Sequence, residues 1–161
     1  PRGIVIDGKP GLGKSRLAEW MCQRAHEVGA CTVLRAHHDQ HGGPTTGLRG
    51  MVERWLRTDG LDRETVWDIV QSKILTLARH DEGLGANRFV EDEARALTEF
   101  LRPSDEQPGD AGGPAYQFDS KAEQLFVLRR VFRRLANRRP LLVWLDDVQW
   151  GDFALAFAEH A

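Results

Sequence analysis

A glycine-rich segment near the start of the chain restricts the fold more than any other feature. Residues 8–15 read GKPGLGKS and fit the pattern G-x-x-x-x-G-K-[ST] at every fixed position. The apolar, β-branched run 4–6 precedes this segment and predicts a buried strand. An amphipathic helix is predicted from Lys14 to about Val28, and the run 31–34 predicts a further strand. The order strand, loop, helix, strand indicates an α/β protein with a parallel sheet. The apolar face of the predicted helix consists of Leu17, Met21, Ala25 and Val28.

The same segment has the chemistry of a phosphate-binding loop. Glycines let the backbone turn tightly and aim successive N–H groups at phosphate oxygens, and the helix that follows adds the positive end of its dipole. Lys14 can reach the β- and γ-phosphates, and Ser15 can place its hydroxyl on Mg²⁺. The alternative is a glycine-rich turn that arose by chance. The candidate nucleotide-binding residues are Gly8, Lys9, Pro10, Gly11, Leu12, Gly13, Lys14, Ser15 and Arg16.

A second signal lies near the end of the chain. The apolar run Leu141–Leu145 predicts a strand buried on both faces, and it ends in Asp146 and Asp147. Open α/β sheets bind ligands at the carboxyl ends of their strands. We therefore predict that Asp146 holds Mg²⁺, directly or through water, together with Ser15.

Asp147 is predicted to orient or deprotonate the water that attacks the γ-phosphate. Lys14 and Asp147 are thus the candidate catalytic residues. The alternative for the acidic pair is a capping role at the next helix. ATP is favoured over GTP because no N-K-x-D occurs and residues 147–151 are one residue too long for D-x-x-G.

Residues 8–17, GKPGLGKSRL, and residues 145–152, LDDVQWGD, together resemble the AAA-type ATPase domain of the STAND class, the signal-transduction ATPases with numerous domains. In bacteria such domains occur in large LuxR-type transcriptional activators and in fusions to Ser/Thr kinases or adenylate cyclases. The resemblance implies a three-layer P-loop NTPase fold and an ATP-dependent switch that Mg²⁺-dependent hydrolysis resets. It also implies other domains of the same polypeptide as partners, a homo-oligomer, and contact with nucleic acid only through an output domain.

Proteins of this class have the sheet order 5-1-4-3-2, and this chain supplies predicted strands 1 to 3. We therefore expect residues 1–161 to be a partial ATPase domain, truncated at both ends, with little activity of its own. It would carry Walker A at 8–15 and Walker B at 141–147. The Pro- and Gly-rich stretch 103–118 predicts a flexible loop. Residues 62–78 predict a helix whose apolar face consists of Val66, Ile69, Val70, Ile74 and Leu77.

Composition and charge exclude several classes of protein. The chain has 22 Lys and Arg against 24 Asp and Glu, a net charge of −2, which excludes a generally basic nucleic-acid coat or an acidic disordered tail. Its apolar runs are far shorter than the about 20 residues of a membrane span, and no signal peptide opens it. A cytoplasmic protein without membrane contact is expected. Cys22 and Cys31 are expected to be reduced, buried thiols.

Two further clusters have weaker functional interpretations. His37, His38 and His41 lie with Asp39 in one short segment and could bind Zn²⁺, although a polar loop at the sheet edge, near nucleotide or a partner, is favoured. Six arginines near the end of the last long predicted helix could form a nucleic-acid or oligomer contact, although a solvated helix face is favoured. They are Arg129, Arg130, Arg133, Arg134, Arg138 and Arg139.

Two alternatives to an ATPase switch remain open. The domain could hold nucleotide with barely any turnover and serve as a scaffold. It could also be a small-molecule kinase, because residues 8–14 resemble the loops of nucleoside monophosphate kinases. Those kinases lack a late strand that ends in two aspartates, so the kinase is the less favoured alternative.

Overall fold

The computed structural model describes residues 3–43, 46–79, 89–104 and 116–160. The helices and strands, in chain order, are α1 (Lys14–Glu27), β1 (Thr32–His37), α2 (Gly47–Leu56), α3 (Arg63–Ala78), α4 (Val90–Leu101), α5 (Lys121–Arg138), β2 (Leu141–Asp146) and α6 (Asp152–His160). A 3₁₀ turn, Val148–Trp150, links β2 to α6. No helix in the described part of the chain is long and apolar enough to cross a membrane.

The chain divides into two compact units. The sheet unit comprises Pro1–Met51 and Arg139–Ala161, and the helical unit comprises Val52–Arg138. Each unit is built from a different kind of long-range contact. The sheet unit depends on strand pairing, whereas the helical unit depends on helix packing.

The sheet unit is organised by one parallel pair of strands. β1 pairs with β2 in a register that runs from Thr32 opposite Leu141 to His37 opposite Asp146. Helix α1 contacts both strands. Cys22 and Cys31 are buried free thiols, as predicted. Because the strands are parallel, their carboxyl ends meet at the same edge, where the acidic pair begins.

The run 4–6 differs from its prediction, since the sheet has two strands in the described residues and this run belongs to neither. Ile4 is 77% exposed and Val5 is 91% exposed. The sheet order implied by the resemblance places a further strand between strands 1 and 3, and none of the described residues form it. A strand without a neighbour has no ladder of hydrogen bonds, so the run 4–6 forms no strand with the described residues.

The burial of α1 and β2 also differs from the prediction. On the predicted apolar face of α1, Leu17, Met21 and Val28 are exposed, whereas Cys22 is the buried residue of the helix. Strand β2 is half-buried along its apolar run rather than buried on both faces. Both deviations are expected where the described residues form a sheet of two strands, because such a sheet offers too little surface to cover these side chains.

The helical unit buries most of the apolar face predicted for the helix over 62–78, although Ile69 is only half-buried. Val66, Val70, Ile74 and Leu77 are fully buried on α3, which packs on α4 and α5. The start of α3 is capped by Asp62, whose carboxylate accepts a 2.9 Å hydrogen bond from Thr65 N. The predicted loop 103–118 lies outside the described residues, except for 103–104 and 116–118.

The arginine stripe of α5 is only partly solvated. Arg134 is buried and donates from Nε to Glu93, at 3.2 Å and 3.1 Å from its two carboxylate oxygens. Arg130 lies 3.3 Å from the same carboxylate. These two arginines therefore stabilise the helical unit from within, while Arg129 and Arg133 remain exposed as the favoured interpretation predicts.

Candidate functional site

The glycine-rich loop turns through backbone conformations that favour glycine. Gly8, Gly11 and Gly13 have φ angles of 150°, 82° and 79°. Gly13 directly precedes α1, so the loop ends at the N-terminus of that helix. Side chains at these three positions would strain the backbone, which explains why the motif needs glycine.

Lys14 lies folded over this loop. Its Nζ donates hydrogen bonds to the backbone oxygens of Gly8, at 2.7 Å, and Lys9, at 3.1 Å. The ammonium charge is therefore held next to the loop, close to the N-terminal end of α1. A concentration of positive charge at this point suits a phosphate group.

Ser15 and Asp146, the two predicted metal ligands, are in direct contact. Ser15 Oγ donates a 3.0 Å hydrogen bond to Asp146 Oδ1. The contact joins the start of α1 to the end of β2, in two parts of the sequence that are 131 positions apart. Hydroxyl and carboxylate oxygens are the donors that Mg²⁺ prefers, so the pair has suitable chemistry for that ion.

Asp146 is only 7% exposed, and its carboxylate has a second partner. Arg35 Nη2 lies 2.8 Å from Asp146 Oδ2. Burial by itself would raise the pKa of Asp146, but the hydrogen bonds from Arg35 and Ser15 and the charge of Arg35 hold this pKa below its usual value. Asp146 is therefore an anion in the folded protein at neutral pH.

The three histidines of the predicted cluster have separate environments. His37 Nδ1 lies 3.6 Å from Asp146 Oδ2 and 3.9 Å from Asp147 Oδ2, at the edge of the sheet. His38 is buried, and its Nδ1 is 2.9 Å from the backbone oxygen of Asp146. His41 lies in a turn in which its N–H donates to Asp39 Oδ1. His37 thus ends strand β1 and His38 is buried, so only part of the segment predicted as a polar loop at the sheet edge is an exposed loop.

Within the described residues, His37, Asp146 and Asp147 form the cluster whose metal-ligating atoms all lie within 4.8 Å of one another. The sequence groups four possible ligands, but in the described residues these four do not form a cluster of this kind. They are His37, His38, His41 and Asp39. His37 is the last residue of β1 and its side chain is exposed, whereas His38 follows the strand and is buried, so the two rings lie in different surroundings.

Asp147 has an unusual backbone conformation for a residue other than glycine. Its φ of 52° and ψ of 40° are left-handed, and its side chain is 48% exposed. Gln149 Nε2 donates a 3.3 Å hydrogen bond to Asp147 Oδ1. Left-handed residues of this kind cost energy and cluster at functional sites. The Asp147 side chain accepts no capping hydrogen bond from a backbone N–H of the 3₁₀ turn that follows it, whereas its backbone oxygen accepts one from Trp150 N at 3.1 Å.

Comparison with protein families matches residues 1–156 to the family described as AAA ATPase domain. The chain belongs to this family. Comparisons with curated proteins and with solved structures give no significant match. Membership confirms the predicted AAA-type ATPase domain and implies that the chain binds nucleotide, with ATP as the ligand of the family.

In this AAA domain, sequence reasoning missed Arg35 and misjudged Trp144. Arg35 Cζ lies 3.8 Å from the centroid of the Trp144 ring, and the two residues are register partners in the sheet. Trp144 belongs to the run Leu141–Leu145, which is predicted to be buried on both faces, but it is half-buried and its ring lies against the Arg35 guanidinium. An arginine inside an otherwise apolar strand was the available signal, although its partner depends on the register.

The remaining predicted binding residues of the AAA domain lie at the surface. Lys9, Pro10, Leu12 and Arg16 are all exposed. Of these, Lys9 contributes its backbone oxygen to Lys14. Their side chains are therefore accessible to a ligand bound at the loop.

Proposed function

We propose that this AAA domain binds ATP together with Mg²⁺ and hydrolyses it slowly, as the switch of a STAND-class signalling protein. The observation that carries the proposal is the 3.0 Å hydrogen bond from Ser15 Oγ to Asp146 Oδ1. It brings the Walker A loop, residues 8–15, to the Walker B strand, residues 141–147. Phosphate-binding and metal-binding groups thus meet at one place.

Different residues of the site would bind the phosphates and the metal ion. The backbone N–H groups of residues 8–13 and the N-terminus of α1 would hold the phosphates. Lys14 would exchange the backbone oxygens of Gly8 and Lys9 for the β- and γ-phosphate oxygens. Ser15 and Asp146 would hold Mg²⁺, which neutralises phosphate charge when bound.

Hydrolysis would depend on Asp147. Its carboxylate would orient the water and accept its proton as the water oxygen attacks the γ-phosphorus and the bond to the ADP oxygen breaks. The side chain is half-exposed, and Gln149 already binds one of its oxygens. Water is not excluded from this carboxylate, which favours slow turnover.

That exposure also supports the scaffold alternative, in which nucleotide is held without turnover. The STAND assignment and the three-layer fold rest on the resemblance of residues 8–17 and 145–152. The same resemblance supports a cytoplasmic bacterial role in transcription or other signalling, with further domains of the polypeptide and other copies of the chain as partners.

Nucleotide binding is tested by thermal stabilisation with ATP and Mg²⁺. A ligand at 100 times its dissociation constant stabilises the native state by about 2.7 kcal/mol. We expect Lys14→Ala to abolish the shift in melting temperature. Lys121→Ala is the matched control, because Lys121 is an exposed lysine in the helical unit. An unchanged shift in Lys14→Ala would refute the assignment of the loop.

Hydrolysis is tested by phosphate release. Asp147→Asn should reduce release by about 100-fold or more while ATP-induced stabilisation persists, because general bases contribute about 10²–10⁴-fold. Asp59→Asn, at an exposed position of the helical unit, is the control. No release from the full-length protein would favour the scaffold. Phosphate transfer to a nucleoside monophosphate would favour the kinase.

A further inference from the structure

The two oxygens of the Asp146 carboxylate are held by different residues. Ser15 Oγ donates to Oδ1 at 3.0 Å, and Arg35 Nη2 donates to Oδ2 at 2.8 Å. Two donors on opposite oxygens fix the rotation of the carboxylate plane. As a result, Oδ1 faces the Ser15 hydroxyl, the other predicted metal ligand.

Arg35 is itself held by an aromatic ring. Its guanidinium carbon lies 3.8 Å from the Trp144 ring centroid. Trp144 and Asp146 are two positions apart on β2 and therefore point to the same face of the strand. A planar guanidinium can lie against a ring and still direct an N–H group at a neighbouring carboxylate, which a lysine ammonium cannot do equally well.

We propose that Arg35, supported by Trp144, is a positioning residue that sets the orientation of Asp146 toward Mg²⁺. The inference rests on the proposed function, since it concerns how the chain holds the ion that accompanies ATP. Arg35 acts through Asp146 and has no contact with nucleotide in this scheme. It occupies Oδ2 and leaves Oδ1 directed at the predicted metal position.

The positive charge of Arg35 disfavours Mg²⁺ binding, whereas its orientation of Asp146 favours it. The test must therefore separate these two effects. Removing a positive charge beside the site would by itself favour a divalent cation, whereas losing the orientation of Asp146 would disfavour it. Substitutions that keep the net charge isolate the orientation. Arg35→Lys keeps the charge and loses the planar fork, and Trp144→Leu keeps Arg35 and removes its support.

The measurement is the Mg²⁺ concentration that gives half of the ATP-induced rise in melting temperature, at fixed ATP. We expect a rise of about tenfold in Arg35→Lys, because partners that orient metal ligands typically change metal affinity by about 10–100-fold. Trp144→Leu should change it in the same direction. Stabilisation by ATP without Mg²⁺ should not change in either variant.

Arg24→Lys is the matched control and should leave the Mg²⁺ requirement unchanged. Arg24 is an exposed arginine of the same unit, and it pairs with Glu27 on α1. Melting temperatures without ligand show that each variant is folded. If Arg35→Lys fails to fold, Trp144→Leu alone decides the question.

A double substitution tests whether Arg35 acts through Asp146. On an Asp146→Asn background, Arg35→Lys should cause no further rise in the Mg²⁺ requirement. A further rise would overturn the proposal, as would an unchanged requirement in the single variants. Weaker ATP binding without Mg²⁺ would indicate direct contact with nucleotide and would also overturn it. If the unaltered chain does not respond to ATP and Mg²⁺, the proposed function fails as well.

Discussion

The imidazole ring of His38 lies directly against the backbone of Gly151. A Cβ atom on residue 151 would come within 2.4 Å of His38 Cδ2 and 2.9 Å of its Nε2. The ring cannot easily move away, because it is 6% exposed and its Nδ1 lies 2.9 Å from the Asp146 backbone oxygen. Gly47 also lies close to the His38 ring, since a Cβ atom on residue 47 would lie 3.4 Å from the same Cδ2.

We therefore expect Gly151→Ala to lower the free energy of unfolding by about 1–3 kcal/mol, the usual range for overpacking. Gly3→Ala is the control, because a Cβ at Gly3 meets nothing within 4 Å, and its effect should stay within about 0.5 kcal/mol. Urea denaturation measures both. Equal stabilities of the two variants would mean that His38 can adopt another position.

Arg102 should be essential to the helical unit. Its guanidinium donates to the backbone oxygens of Thr58, Leu61 and Leu101 at 2.9, 3.0 and 2.8 Å, and it forms an ion pair with the buried Glu53. Arg102→Ala should cost about 3–5 kcal/mol, as for other broken buried pairs. Arg95→Ala, which breaks an i,i+4 pair with the exposed Glu91, should cost less than about 1 kcal/mol. Similar losses in both variants, measured by chemical denaturation, would contradict the buried role.

The hydroxyl of Thr98 should contribute little to stability. It is buried and has no hydrogen-bond partner in the described part of the chain. Thr98→Val removes an unsatisfied polar group at similar volume, so the melting temperature should stay the same or rise. Thr65→Val is the contrast, because Thr65 Oγ1 donates to Asp62 at 2.9 Å, and its melting temperature should fall. A clear fall in Thr98→Val would show that the hydroxyl is bonded.

Tyr116 should ionise only in strong alkali. Its hydroxyl donates to Glu123, and this bond, burial and nearby carboxylates raise the pKa of Tyr116 from 10.0 to about 12. Tyr116 is the only tyrosine of the chain, so tyrosinate absorbance reports it alone. The midpoint should lie near pH 12 in the folded protein. It should move toward 10 in Glu123→Gln, but not in Glu19→Gln.

Because the pKa of Tyr116 is raised on folding, the contribution of this residue to stability depends on pH. A group whose pKa is raised on folding contributes its full stability below its unfolded pKa and loses it as pH rises through its folded pKa. The contribution of Tyr116 is therefore complete below pH 10 and declines toward pH 12. Tyr116→Phe should remove this part of the alkaline decline, and a decline of the same size in that variant would refute it.

Local patterns in the sequence were sufficient for much of the fold. The helix predicted over 62–78 lies at Arg63–Ala78, because its apolar residues recur at the helical period and Asp62 caps its start. Ser15 and Asp146 were predicted to share a metal ion, and they are in contact. Both predictions depended on residue types whose chemistry allows few alternatives.

Features that depend on distant partners were not predictable in the same way. The run 4–6 has the composition of a strand, but a strand exists only where another pairs with it, and here none of the described residues does. The contacts of Arg35 with Trp144 and Asp146 require the exact parallel register. Because side chains alternate along a strand, a shift of one residue would have placed Arg35 on the opposite face.

The register of β1 and β2 also affects when during folding the site forms. Arg35 and Asp146 are 111 positions apart, and the helical unit lies between them in the sequence. Closing so long a loop is entropically costlier than forming the local contacts of helices, so contacts of this range are expected to form late. Competence to bind nucleotide would then appear with the final pairing of the strands. An ATP-dependent signal in refolding would report completion of the sheet unit rather than collapse of the helices.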